Sequence, residues 1–113
     1  MADSRELAKI AYDALDEKKG LDIKIIDISE VSPIADYFVL ASALNENQIE
    51  AMQSEVDEKL HKAGAELKSI EGHRNSNWIL MDYGDVVVHL FTQEDREFYD
   101  LDKVWKDGKE ITL

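Results

Sequence analysis

The stretch that most constrains this fold is Trp78-Ile-Leu-Met-Asp-Tyr-Gly-Asp-Val-Val-Val-His-Leu-Phe91. Two apolar runs meet at Tyr83-Gly84-Asp85, and two such runs joined by a tight turn make a β-hairpin. Side chains of a strand alternate between faces. Trp78, Leu80 and Asp82 therefore share one face of the first arm, and Ile79, Met81 and Tyr83 share the other. In the second arm Val87, His89 and Phe91 alternate with Val86, Val88 and Leu90. Both tryptophans and two of the three phenylalanines lie between Trp78 and Trp105. Aromatic rings bury large, rigid surface, so this cluster either finishes a small core or grips a partner.

The segments around the hairpin supply the layers it needs. Leu7, Ile10, Ala11, Ala14 and Leu15 follow helical spacing from about Ser4 to Lys19. Asp3 with Glu6 makes a capping pair at the start, and Gly20 marks the end. Asp22–Ile28 is β-branched and reads as a strand, followed by a loop that carries the single proline, Pro33. Asp36–Ser42 is nearly continuous in apolar residues, the mark of a central strand buried on both faces. Asn45 and Gln48 then cap a second helix whose buried stripe is Ile49, Met52, Val56 and Leu60, ending at Gly64. Ala65–Glu71 reads as a weaker strand. Thr92 with Asp95 caps a short helix from about Glu94 to Tyr99.

This order predicts a single α/β domain over residues 1–113, with a mixed sheet of about five strands and helices packed on it. The core is expected over about 5–106, with 107–113 polar enough to fray. Strand order is not legible in these signals. No apolar run approaches the roughly 20 residues that span a bilayer, and the start of the chain carries no signal-like or transit-like pattern. A cytoplasmic protein that does not act at a membrane is expected.

The chemistry-bearing residues form few recognised constellations. His61, His73 and His89 follow no zinc-ligand spacing, and cysteine is absent. His61 suits the C-terminal dipole of the second helix. His89 interrupts an apolar strand as either a structural residue or an interface residue. Asp82 and Asp85 flank the hairpin turn, where they serve the turn or form a carboxylate pair. Asp100-Leu-Asp102 has the D-x-D form of magnesium sites in nucleotidyl transfer, without a phosphate-binding loop beside it. No nucleophile elbow, P-loop or dinucleotide motif is present. No cofactor and no metal are expected. A net charge of −12 repels phosphate backbones and favours a basic protein partner over direct nucleic-acid binding.

The hairpin, together with Arg96-Glu-Phe-Tyr-Asp-Leu-Asp-Lys-Val-Trp105, Ala35–Ser42 and Gln48–Leu60, resembles the ribosomal silencing factor (Iojap-like) family over about residues 5–106. The resemblance implies a nucleotidyltransferase-like α/β fold without that superfamily's catalytic motifs. It implies a non-enzymatic translation repressor that binds the large ribosomal subunit through its universal protein fourteen. Such a factor blocks joining of the small subunit and slows translation when nutrients are scarce. Contact residues implied by the family are Trp78 and Tyr83, extended here to Met81, Asp82, His89, Arg96, Tyr99 and Trp105. The loop Ser42-Ala-Leu-Asn45 departs from the Thr- or Gly-rich version common in that family. Two other readings stay open: a degenerate magnesium-dependent nucleotidyltransferase using Asp100 and Asp102 or Asp82 and Asp85, and a homodimerisation module, since family members are often dimeric.

Overall fold

The first helix, α1 (Ser4–Glu17), starts where the Asp3 carboxylate accepts the Glu6 N–H at 2.9 Å. This satisfies one of the donors that a helix N-terminus leaves without an intrahelical partner. A computed structural model describes residues 3–33, 35–72, 78–98 and 108–112. The helix ends one residue earlier than its glycine suggests, because Lys19 takes the left-handed φ of 62°. The second helix, α2 (Glu46–Lys62), is capped by Asn45, whose side chain accepts the Gln48 N–H at 2.9 Å. Gln48 then ties the helices together: its Oε1 accepts the Leu44 N–H, and its Nε2 donates to the carbonyls of Lys18 and Lys19. A residue expected for local capping thus also staples the start of α2 to the end of α1.

The strands are β1 (Leu21–Asp27), β2 (Tyr37–Ala43), β3 (Ser69–Glu71), β4 (Trp78–Asp82), β5 (Val86–Thr92) and β6 (Lys109–Ile111), with a short helix α3 (Gln93–Phe98) after β5. They form one mixed sheet in the order β3-β4-β5-β2-β1-β6. β2 and β5 run parallel at its centre and the other neighbours are antiparallel. The expected central strand is central: β2 lies between β5 and β1, with Val39 to Ala43 buried. Joining parallel neighbours requires a crossover, and α2, β3 and β4 provide it.

α1 and α2 cover one face of the sheet. Ala8, Ala11, Ala14 and Leu15 of α1 and Ile49, Met52, Val56 and Leu60 of α2 meet Val39, Ala41, Ile79, Met81, Val86, Val88 and Leu90. The small α1 residues let that helix approach the strands closely. A second cluster lies on the opposite face, built from Ile26, Ile28, Leu40, Val87 and Phe91 with Phe38 and Leu80 packed against them. The alternation read along both hairpin arms holds residue for residue.

The sequence reading needs two corrections. The tail expected to fray supplies the sixth strand, pairing Lys109–Ile111 with Ile25–Asp27. Ile111 packs against the helix-side core, and Gly108 lies so near Ile26 and Ile28 that a Cβ there would clash. Polarity misleads at this point because an edge strand keeps one row of backbone groups and most side chains in water. The weak strand expected over Ala65–Glu71 shrinks to Ser69–Glu71. Its first part instead packs Ala65 and Leu67, both half-buried, against the helix-side core.

Candidate docking site

The hairpin is positioned from its turn. Gly84 adopts a φ of +88°, a conformation that other residues take only with strain. The Asp82 carboxylate accepts the Gly84 N–H at 2.7 Å, and the Tyr83 N–H reaches the Val86 carbonyl at 2.9 Å. The Asp85 carbonyl accepts the N–H groups of Asp36 and Tyr37, which fixes the turn to the start of β2. Asp82 and Asp85 are therefore engaged in turn geometry, Asp82 through its side chain and Asp85 through its backbone.

The eight residues named from sequence divide sharply. Trp78, at the start of β4, is 42% exposed and is the one aromatic among the exposed large hydrophobic residues described. Its indole packs edge-on against Phe91, its cross-strand partner, with ring centroids 5.9 Å apart. Asp82 lies on the same face at the other end of β4, half-buried. Met81 is fully buried beneath the helices, and Tyr83 is 6% exposed. The Tyr83 hydroxyl donates to the Asp57 carboxylate of α2 at 2.8 Å. Burial and that carboxylate hold the phenol well above its ordinary range, so it stays a neutral donor.

Trp78 and Tyr83 therefore do not share a face. Tyr83 lines a cleft on the helix side with Leu7, Lys68 and Asp85, whereas Trp78 projects from the opposite face. No bulge in β4 brings them together, since the β4–β5 register is unbroken from Trp78 to Asp82.

His89 is 5% exposed on the Trp78 side, opposite Leu80 in the ladder. Its ring sits edge-to-face against Phe38 at 4.7 Å, and burial pushes its pKa down to about 4. It is a neutral member of the far-side core at ordinary pH. Arg96 is 4% exposed. Its Nη1 donates at 2.9 Å to both the Asp22 carbonyl and the Ser42 hydroxyl, and its guanidinium stands 5.6 Å from the centre of the Phe91 ring. Tyr99 and Trp105 lie outside the described residues, as do Asp100, Asp102 and His73.

Sequence reasoning missed the partners of these side chains. Asp57, Asp22, Ser42 and Phe91 hold Tyr83, Arg96 and Trp78, yet two of the hydrogen-bond links span 26 and 74 positions. No local pattern encodes such a pairing. Among the described residues no group of three or more histidine, cysteine, aspartate or glutamate side chains could hold a metal ion. No helix among them is long and apolar enough to cross a membrane.

Comparison with known proteins places this architecture. The family model described as "Ribosomal silencing factor during starvation" matches residues 1–113. The ribosomal silencing factor of Halalkalibacterium halodurans is 34% identical over 110 residues, covering 97% of this chain and 94% of that protein. A crystal structure of a Chromobacterium violaceum protein superposes with a TM-score of 0.88 at 32% identity, covering 99% of this chain and 92% of that one. A more distant relative, the mouse "Mitochondrial assembly of ribosomal large subunit protein 1", is 30% identical over 94 residues, or 80% of this chain and 41% of that protein. The chain belongs to the ribosomal silencing factor family.

Proposed function

We propose that this member of the family docks on the large ribosomal subunit through its universal protein fourteen and blocks joining of the small subunit. Translation then slows when nutrients are limiting, and the site of action is the cytoplasm. The observation that carries the reading is Trp78, a large aromatic left 42% exposed beside β5, a strand that is buried along its whole length. Exposed rings on a rigid strand make efficient anchors, since little conformational freedom is lost when they are covered. The name of the mouse relative, with its reference to the large subunit, supports the choice of subunit. The charge of −12 suits a basic ribosomal protein and opposes direct contact with ribosomal RNA.

In this reading Trp78 makes the contact, with Asp82 on the same face at the other end of β4 and with Tyr99 and Trp105 as further contacts that extend those the family resemblance implies. Met81, Tyr83, His89 and Arg96 are too deeply buried to meet a partner directly and instead hold the hairpin in shape. The mechanism requires occupancy and no chemical step. Sedimentation with purified subunits tests it. The protein should travel with the large subunit and reduce the fraction of joined ribosomes. Failure to co-sediment, or unimpaired joining, would show the reading to be wrong.

A further inference from the structure

The buried guanidinium of Arg96 has more partners than a stabilising role for α3 requires, and one of them leads to the docking face. Its Nη1 is shared between the Asp22 carbonyl and the Ser42 hydroxyl, and its Nη2 is 3.5 Å from the Asp22 carboxylate. These groups belong to the start of β1 and the end of β2, so the head group is fixed from two strands. Asp22 itself is unusual: it holds a left-handed φ of 49°, at the place where the β1–β2 register shifts between Leu21 and Lys24. The guanidinium is thus held by a backbone irregularity that presents a carbonyl and a carboxylate of one residue.

Held there, the guanidinium lies against the Phe91 ring at 5.6 Å, within the range of a cation–π contact. The same ring is fully buried and meets the Trp78 indole edge-on at 5.9 Å. Trp78 is the first residue of β4, paired across the ladder with Phe91. From the geometry we infer that Arg96 is a positioning residue for docking: it sets the Phe91 ring, and through that ring the pose of the exposed Trp78 indole. The inference rests on the reading that Trp78 is the docking residue. Arginine suits the task because its planar fork meets two acceptors in a fixed geometry while one face stacks on a ring, whereas the ammonium of lysine is a compact point charge with no face to stack.

A double-mutant cycle with the full chain and purified large ribosomal subunits tests this relay. Arg96→Lys should weaken binding on the order of tenfold. The double variant Trp78→Ala, Arg96→Lys should bind no more weakly than Trp78→Ala alone. Additive losses would make Arg96 independent of Trp78 and overturn the proposal, as would unchanged binding by Arg96→Lys. A second readout needs no ribosome. The Trp78 indole N–H cross-peak, identified by its disappearance in Trp78→Ala, should move in Arg96→Lys while the amide peaks of α1 and α2 stay in place. A stationary indole peak overturns the positioning role even where Trp78 docking stands. Normal binding by Trp78→Ala removes the docking reading instead, and the indole peak then decides the relay alone. If Arg96→Lys fails to fold, Ser42→Ala, which removes one acceptor of Nη1, takes its place in both measurements.

Discussion

The aromatic residues at the start of β4 and just past its end have similar side chains and opposite fates. At the turn end, Tyr83 is sealed under α2, its hydroxyl bonded to Asp57. At the other end, Trp78 stands on the far face with close to half its surface in water. The difference follows from period-two alternation and from α1 and α2 covering the face that Tyr83 takes. Five positions separate the two residues, so whatever face one takes, the other takes the opposite. Tyr83, on the side of α1 and α2, is consumed by the core, while Trp78, on the far side at the start of its strand, stays exposed. Large aromatic residues in one hairpin therefore do not form one surface, and the proposed docking role goes to Trp78, the one that stays exposed.

The sharpest way to break this comparison is to truncate both faces. Met81→Ala removes a fully buried side chain beneath the helices and should cost about 3 kcal/mol of stability in chemical denaturation. Trp78→Ala should leave the denaturation midpoint nearly unchanged and weaken large-subunit binding by about 2 kcal/mol, or roughly thirtyfold. Equal effects of the two substitutions on stability would mean that Trp78 is a core residue after all.

The far face is itself sealed along β5, and His89 reports on that. Its folded pKa of about 4 lies below the ordinary 6.5, so the unfolded chain binds the proton more readily. The stabilising contribution of the neutral ring is complete above 6.5 and is lost as pH falls towards 4. Between pH 7.5 and 5 the loss should be about 2 kcal/mol in urea titrations. His89→Phe, which has no proton to gain, should lack this component. A His89→Phe variant with the same acid dependence as the parent would show that the ring is hydrated. The smallest effect belongs to the Tyr83 hydroxyl. Tyr83→Phe removes one hydrogen bond to a carboxylate that water can reach and should cost about 1 kcal/mol of stability. Binding to the large subunit should not change, and a loss comparable to that of Trp78→Ala would restore Tyr83 to the contact.

Much of this was written locally. The caps at Asp3, Asn45 and Thr92 each accept the N–H expected of them. The buried stripe of α2 is Ile49, Met52, Val56 and Leu60, as helical spacing required. The hairpin alternation was legible because neighbours in one strand differ only in the face to which they point. What escaped was of another kind. The tail strand β6 has too few residues and too many charges to declare itself, and forms because β1 offers an open edge beside it. Arg96 was expected at the contact, since a single arginine in a short acidic helix carries no sign of burial. Its two acceptors come from strands 54 and 74 positions away.

The sequence by itself determined the elements, their buried stripes and the two faces of the hairpin, because those depend on interactions between residues a few positions apart. Only the tertiary structure decided which face the helices would cover, and hence that Trp78 remains outside and Tyr83 does not. The reason is physical. A strand with two apolar faces can be buried from either side, and the choice rests with crossovers and packing partners dozens of residues away. The same separation explains Arg96. Its charge is specified by one residue, but its burial depends on a carbonyl, a carboxylate, a hydroxyl and a ring that meet only when the sheet has formed.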